Sequence, residues 1–251
     1  LGSRSPSVRQ PIAPRGTGAA MPGPGAELVV SWKNVRLTRD DVALFRDGQW
    51  LNDECVTFFL EHLKQTRGTE EARILLLGAE TAFWILMEDD PEDLADAAEG
   101  LELAQRDLVL CPVNDNADPD RAGGGSHWSL LVGRKARGGA APMAFEYYDS
   151  MSAANLGAAS RLAAKLAALG AGSAGGAKAP SRPPEVRVAE AARQANSYDC
   201  GVYVLLFAQA VVEAFLAGGA PPAVEAFSPA DACAKRRELL SLVEAAGRER
   251  K

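Results

Sequence analysis

A long apolar stretch near the C-terminal end of the chain follows a short polar turn. Residues 202–207 are Val-Tyr-Val-Leu-Leu-Phe, and apolar side chains predominate as far as Phe215. An apolar run of this length without glycine or proline predicts a helix that is buried on most of its surface. The preceding residues 194–199 include Asn, Ser and Asp, which favour turns and helix N-caps. We therefore predict a buried helix that begins at about Cys200 and around which the rest of the chain packs.

Cys200 falls in the first turn of this predicted helix, which makes it a candidate nucleophile. The helix dipole and the free backbone N–H groups of a first turn favour a negative charge, and the thiolate is the reactive form of cysteine. Position alone does not decide the matter, because free cysteines are often buried and simply pack. The catalytic interpretation therefore depends on whether a base and its partner occur elsewhere in the sequence.

The composition limits the classes of protein to which the chain can belong. Of its 251 residues, 47% are hydrophobic and 24% are charged, and we expect a monomer with one folded domain over residues 27–251. The net charge of −6 argues against a nucleic-acid partner, and no apolar run approaches the about 20 residues of a membrane span. The 4 cysteines are far apart without a C-x-x-C pair. We therefore predict no metal site, no disulfide framework and a reducing location, the cytoplasm or the nucleus.

Two segments have the composition of unfolded chain. Residues 1–26 are rich in Gly, Ala, Pro and Ser, and the first twenty contain Arg but no acidic residue. We expect a disordered leader there, with a targeting signal as the alternative. Residues 170–184 are rich in Gly, Ala and Pro and predict a mobile surface loop within the domain.

The rest of the pattern predicts strands and helices in mixed order. Three successive strands in the middle of the chain favour a central, mainly antiparallel sheet flanked by helices, an α+β fold. We expect Cys111 and Cys233 to pack in the core and His62 to be solvated on its helix. Strands are predicted at 27–32, 107–113, 126–132, 143–148 and 185–189, and helices after Thr38, after Asn52 or Asp53, and at 79–87, 92–101, 153–169 and 229–248.

A thiol nucleophile needs a base, and the base needs a partner that orients it. The chain has 2 histidines, and His127 stands where a glycine-rich loop leads into a predicted strand, which is expected to expose its ring at the sheet edge. Asp149 ends the next predicted strand, so both side chains are expected at one rim of the sheet within reach of Cys200. The side-chain amide of Gln194 could complete an oxyanion hole. Each residue also has an ordinary alternative: a histidine bonded to backbone, a helix-capping aspartate and a loop amide.

Four short motifs carry a family resemblance that these physical arguments do not supply. They are Trp-Leu-Asn-Asp at 50–53, Gly-Ser-His-Trp at 125–128, Tyr-Asp-Ser at 148–150 and Gln-x-Asn-Ser-Tyr-Asp-Cys-Gly at 194–201. In this order they resemble the motif series of the sentrin/SUMO-specific, Ulp-type cysteine proteases, from about residue 27 to residue 248. The Asn-Asp-Asn at 114–116 and the Asn-Ser-Tyr before Asp-Cys-Gly are more similar to the deneddylase branch than to the SUMO proteases.

The resemblance implies an α+β, papain-like protease with its catalytic cysteine at a helix N-terminus. It implies hydrolysis, without metal or cofactor, of the peptide or isopeptide bond after the C-terminal Gly-Gly of a Nedd/Rub-type ubiquitin-like modifier. Cullin-like proteins are the implied conjugates. The implied roles are general base for His127, orienting partner for Asp149, nucleophile for Cys200 and oxyanion donor for Gln194.

Contacts with the modifier are implied by the same resemblance. Trp50 and Trp128 would wall a narrow tunnel, through which residues without Cβ pass and any side chain clashes. The alternative for both tryptophans is ordinary core. Asp53 would bond the extended tail of the modifier, and nearby acids such as Asp40 or Asp41 could meet an arginine in it.

Other functions stay open at this point. The same chemistry could act on SUMO or on ubiquitin, because loops outside the motifs shape the surface that meets the modifier. A function of another class is a degenerate protease that binds the modifier without cutting. The complete set of His, Asp, Gln and Cys argues against that second alternative.

Overall fold

The fold is built on an N-terminal hairpin and a 5-stranded sheet, in a computed structural model that describes residues 27–119, 124–135, 142–172, 182–218 and 224–248. The hairpin consists of β1 (Leu28–Trp32) and β2 (Val35–Thr38), which are antiparallel. The sheet consists, in spatial order, of β3 (Ile74–Leu76), β4 (Leu108–Asn114), β5 (Trp128–Arg134), β6 (Ala144–Tyr148) and β7 (Val186–Val188).

The sheet is mixed, and most of its paired residues are antiparallel. Its central strands β4, β5 and β6 are antiparallel, as predicted, but β3 pairs with β4 and β6 pairs with β7 in parallel. Parallel neighbours need a crossover connection, and helices supply it at both edges of the sheet. The sequence did not predict β2, which has 4 residues, or β3, which has 3 residues.

The predicted helices are present with small shifts at their ends. Helix α2 is capped by Asn52, whose side chain accepts a hydrogen bond from the Cys55 amide at 3.0 Å. Helix α5 continues to Gly172, so the loop predicted at 170–184 begins later than expected. Loop residues 173–181 and the predicted leader 1–26 lie outside the described part of the chain. The helices are α1 (Arg39–Ala43), α2 (Asp53–Thr66), α3 (Ala79–Met87), α4 (Pro91–Leu101), α5 (Leu156–Gly172), α6 (Cys200–Leu216) and α7 (Pro229–Arg248).

The sheet separates two hydrophobic cores. Alternate residues of the central strands point to opposite faces, so Leu108 and Leu110 join one core while Val109 and Cys111 join the other. The first core contains α2, α6 and the hairpin, and the second contains α3 and α5. Because β4 is buried on both faces, its sequence is apolar without alternation. The assignment of residues 27–251 to a single domain stays a prediction.

Three further side chains test smaller expectations. Cys111 is fully buried, which confirms its place in the core, and burial raises the pKa of its thiol. Cys233 is exposed on α7, so the prediction that it packs is wrong. His62 is half-buried between the rings of Trp32 and Phe59 rather than solvated, and this burial lowers its pKa. No helix in the described ranges is both long enough and apolar enough to cross a membrane.

Candidate active site

Cys200 is the first residue of α6, as the sequence predicted. The helix carries it into the interior, where the residue is 2% exposed. A Cβ on the next residue, Gly201, would lie 3.0 Å from Cβ of Leu51 and 3.4 Å from Cδ1 of Trp128. Glycine therefore lets the first turn of α6 pack directly against the Trp-Leu-Asn-Asp segment and the start of β5.

His127 and Asp149 meet at one rim of the sheet. His127 immediately precedes β5 and Asp149 immediately follows β6, and these antiparallel strands are in register from Leu130 opposite Tyr148. The Nε2 atom of His127 lies 2.7 Å from Oδ1 of Asp149. The expectation that the imidazole ring is exposed at the strand edge is wrong, because His127 is 5% exposed and Asp149 is 7% exposed.

The charges of these side chains favour an imidazolium. Burial alone would lower the pKa of His127, but the hydrogen bond with the Asp149 carboxylate and the influence of the nearby Asp149 and Cys200 groups raise it to about 9. Since Asp149 engages Nε2, Nδ1 is the ring nitrogen available to Cys200. Burial would raise the pKa of Asp149, yet the hydrogen bonds that it accepts from His127, the Met151 amide and Tyr147 lower it. The arrangement stabilises the Asp149 carboxylate and the His127 imidazolium together.

Two buried residues that sequence reasoning missed fix the orientation of this pair. The hydroxyl of Tyr147 donates to Oδ2 of Asp149 at 2.7 Å and accepts from the Asn155 amide at 3.1 Å. The Asn155 side chain donates to the carbonyls of Val113 and His127 at 3.2 and 3.1 Å. Tyr147 adjoins the Tyr-Asp-Ser motif, but no pattern in the sequence shows that its hydroxyl turns toward Asp149.

Asp115 holds the segment that leads into His127. Its carboxylate accepts the backbone N–H groups of Ser126 and His127 at 2.5 and 2.9 Å and the Ser126 hydroxyl at 2.7 Å. Gly125 adopts φ +83°, and a Cβ there would lie 1.8 Å from Oδ1 of Asn114, so this tight return requires glycine. The Asn-Asp-Asn and Gly-Gly sequences therefore supply the side chains and the glycine that this loop requires.

Gln194 connects the Asp149 strand to the Cys200 turn. Its backbone N–H donates to the Ser150 carbonyl at 2.8 Å, and its side-chain Oε1 accepts the Ser150 hydroxyl at 2.6 Å. One hydrogen of its amide nitrogen is directed to the Asn196 carbonyl at 2.7 Å. An amide nitrogen carries two hydrogens, so this contact leaves one donor of Gln194 for another acceptor.

The predicted substrate contacts differ in their exposure. Trp50 is 47% exposed, which argues against the alternative that it belongs to the core. Trp128 is half-buried and its Nε1 donates to the Leu51 carbonyl at 2.9 Å. Asp53 is half-buried at the start of α2. Asp41 receives hydrogen bonds from Thr38 and Asn52, so its carboxylate serves local caps.

Comparison with known proteins decides the family. Residues 49–220 match the family described as "Ulp1 protease family, C-terminal catalytic domain", and this span is more than half of the chain. The chain belongs to the Ulp1 protease family. The family resemblance and the predicted class of enzyme, a thiol protease, are thereby confirmed.

Relatives of this Ulp1-family protease cover most of its length. It is 32% identical to NEDD8-specific protease 1 of Arabidopsis thaliana, over 76% of this chain and 78% of that protein. It is 29% identical to sentrin-specific protease 8 of Homo sapiens, over 86% of this chain and 96% of that protein.

Solved structures confirm the fold. The X-ray structure of the C-terminal Ulp1 protease domain in complex with Smt3, the yeast ortholog of SUMO, matches with a TM-score of 0.65 over 88% of this chain and 89% of that chain. The identity between the two sequences is 18%, so this likeness speaks for the fold alone. The predicted α+β, papain-like protease class is confirmed.

Proposed function

We propose that this Ulp1-family protease hydrolyses the peptide or isopeptide bond after the C-terminal Gly-Gly of a Nedd/Rub-type ubiquitin-like modifier. The observation that carries the proposal is the buried set of Cys200 at the start of α6 with the His127–Asp149 pair beside it. The names of the relatives, NEDD8-specific protease 1 and sentrin-specific protease 8, support the choice of substrate class. Cullin-like conjugates and a location in the cytoplasm or nucleus belong to the same proposal.

The reaction follows from the roles of the side chains. The proton of the Cys200 thiol passes to His127, and the thiolate attacks the carbonyl carbon of the terminal glycine. The tetrahedral oxyanion is stabilised by the backbone N–H of Cys200 and by an amide hydrogen of Gln194. His127 then gives its proton to the leaving amine, and the carbon–nitrogen bond breaks to leave a thioester on Cys200. Water, deprotonated by His127, hydrolyses the thioester and releases the free carboxylate and the thiol.

Asp149 keeps His127 able to perform both proton transfers. Its carboxylate accepts the Nε2 hydrogen, which directs Nδ1 to the sulfur and stabilises the imidazolium formed in each step. The lowered pKa of Asp149 keeps this carboxylate charged over the working pH range. Tyr147 and the Met151 amide hold the carboxylate in place, so the imidazole cannot rotate freely.

The restriction to Gly-Gly follows from access to a nearly enclosed thiol. Because Cys200 is 2% exposed, a substrate chain must reach it in an extended, narrow form. Trp50, on the surface, and Trp128, packed beside Gly201, are proposed to line that approach. Glycine residues lack the Cβ that would meet the indole rings, whereas longer side chains would clash. Asp53 is proposed to bond the modifier tail before it enters.

The proposal is tested with electrophilic probes built on the C-termini of Nedd/Rub, SUMO and ubiquitin. Intact mass of the full chain should show one adduct with the Nedd/Rub probe, absent in Cys200→Ser. Cys233→Ser is the matched control, because this exposed thiol reports non-specific labelling. Adducts with SUMO or ubiquitin alone would overturn the substrate class, and binding of the modifier without any adduct would favour a non-catalytic binding protein.

A further inference from the structure

We propose that Arg236, on α7, is a positioning residue for the Cys200 thiol. It holds the Asp199 carboxylate away from the first turn of α6 and ties that turn to the segment that leads into Trp50. Neither of these tasks is suggested by the sequence, where Arg236 is one of several basic residues in the C-terminal helix. The inference rests on the proposed function, since it concerns the reactivity of the same cysteine.

Arg236 is a buried cation with a fully engaged side chain. The residue is 3% exposed, and its partner Asp199 is 5% exposed. Its Nε and Nη2 atoms donate to Oδ1 of Asp199 at 2.9 and 2.7 Å. The other oxygen of Asp199 accepts the Asn196 amide at 2.8 Å. Both oxygens of the carboxylate are therefore turned toward partners outside α6.

This orientation leaves the start of α6 without its usual side-chain cap. Asp199 occupies the N-cap position, where an aspartate normally accepts a hydrogen bond from the first turn, but its side chain makes no such bond. A carboxylate in the capping position would add a negative charge to the site where the thiolate and the oxyanion must form. By drawing Asp199 aside, Arg236 leaves the N–H groups and the dipole of α6 to act on Cys200.

The remaining N–H groups of Arg236 connect the Cys200 turn to the segment that precedes Trp50. Its Nη1 donates to the carbonyls of Leu44 and Arg46 at 3.0 and 2.7 Å, and its Nη2 donates to the Gln49 carbonyl at 2.6 Å. These carbonyls belong to the irregular segment immediately before Trp50. One planar group thus fixes the Cys200 turn and the Trp50 segment relative to each other, which a lysine with a single ammonium cannot do.

A purely structural role explains these contacts less well. A buried ion pair is often no more stabilising than apolar side chains of the same volume, because both charges lose their water. The neighbouring Lys235 is also buried on α7, but it contacts Gln209, Glu238 and the ring of Phe59. Of these two buried cations, Arg236 is the one that reaches the residue before Cys200.

The test compares Arg236→Gln, Arg236→Lys and the double variant Asp199→Asn/Arg236→Gln with wild type. Arg237→Gln is the matched control, because Arg237 is exposed on the same helix. Folding of each full-length variant is checked by circular dichroism. Two quantities are measured. The first is kcat and KM on a Nedd/Rub modifier with a fluorogenic C-terminal amide. The second is the rate of Cys200 alkylation by iodoacetamide from pH 4 to pH 9, read by intact mass with all proteins carrying Cys233→Ser, because the exposed Cys233 thiol would also react.

We expect Arg236→Gln to lose about 10²-fold in kcat/KM, mostly in kcat, while Arg237→Gln stays within about twofold. The acidic limb of the alkylation profile should move up by about one pH unit in Arg236→Gln. It should return to the wild-type position in the double variant, because no carboxylate is then left to approach α6. Arg236→Lys keeps the charge and should lose only about tenfold.

The outcomes separate this proposal from the proposed function. A folded Arg236→Gln variant with the wild-type alkylation profile and kcat would overturn the positioning role. The same shift in the single and double variants would also overturn it, since the Asp199 charge would then have no part in the effect. If Arg236→Gln does not fold, the lysine and double variants still test it. Wild type without activity on any modifier would instead refute the proposed function, whereas alkylation does not depend on the modifier.

Discussion

The Nε2 atom of His127 lies 2.7 Å from Oδ1 of Asp149, and neither side chain is more than 6% exposed to solvent. The first residue precedes β5 and the second follows β6, so a single antiparallel pairing brings together residues 22 positions apart. Because water is excluded, the charge of Asp149 acts on the imidazole with little screening. The pair therefore determines both the protonation and the direction of the ring that faces Cys200.

Replacing Asp149 by asparagine should lower kcat by about 10³-fold or more with little change in KM. The amide would keep the shape of the side chain but remove the charge, and it would present a hydrogen where Nε2 needs an acceptor. Steady-state kinetics at pH 7.5 would measure the loss. Glu146→Gln is a suitable control, because this carboxylate lies on β6, the strand that Asp149 follows, but pairs with Tyr148 and Arg187. A loss below about tenfold in Asp149→Asn would refute the orienting role.

The pKa of His127 predicts how stability and activity change with pH. A histidine whose pKa rises from 6.5 to about 9 on folding adds stability that is complete below about 6.5 and is lost as the pH rises through about 9. Thermal unfolding at pH 6 to 10 should show this decline in wild type and not in His127→Gln. Since Cys200 contributes to the raised pKa, the decline in Cys200→Ala should occur at lower pH than in wild type.

Activity should fall over the same alkaline range. The leaving amine needs the proton of the His127 imidazolium, so kcat should decrease by about tenfold per pH unit above about 9. A substrate whose leaving group needs no protonation serves as the comparison. If the rate with the amide substrate stays level to pH 10.5, the assignment of this proton to His127 is contradicted.

Tyr147→Phe should lower kcat by about tenfold and destabilise the protein by about 1–3 kcal/mol. The loss of the hydroxyl leaves Oδ2 of Asp149 and the Asn155 N–H without their partner in a buried place. Chemical denaturation and kinetics measure the two effects separately. Tyr148→Phe is the matched control, because its hydroxyl donates to Glu146 instead. Equal kinetic effects of the two substitutions would show that Tyr147 does not act through Asp149.

Gln194 should contribute to the rate through its N–H donor. Gln194→Ala is expected to lower kcat by about 10²-fold, and Gln194→Glu, which replaces the donor by an acceptor, is expected to lower it further. Ser150→Ala removes only the hydroxyl that donates to Oε1 of Gln194 and should cost less than either. If Gln194→Ala changes KM and leaves kcat intact, the side chain binds substrate and does not stabilise the oxyanion.

Trp50→Ala should weaken modifier binding without unfolding the protein. The side chain is 47% exposed, so we expect less than about 1 kcal/mol of destabilisation and a rise of about tenfold in KM. Leu216→Ala is the control, because Leu216 is 41% exposed at the far end of α6. Unchanged KM in Trp50→Ala would remove Trp50 from the proposed approach to the thiol.

Much of the framework follows from local sequence pattern. The apolar run after Cys200 is sufficient to predict α6 and its beginning, and the strands next to His127 and Asp149 are recognisable as apolar runs bounded by turn-forming residues. Capping chemistry places the start of α2 at Asn52 or Asp53, and the structure shows that Asn52 makes the cap. The motif series identified the family, because the residue types at the site recur in fixed order along the chain.

Only the tertiary structure shows the features that depend on contacts between segments far apart in the sequence. The parallel edges of the sheet, the burial of the imidazole and the hydroxyl of Tyr147 on Asp149 all arise from packing between elements far apart in sequence. Arg236 is the clearest case, since it reaches the carbonyl of Leu44, 192 positions away. Local pattern fixes which residues form helices and strands, whereas hydrogen bonds between segments depend on the register and docking of those elements, which no short stretch of sequence encodes.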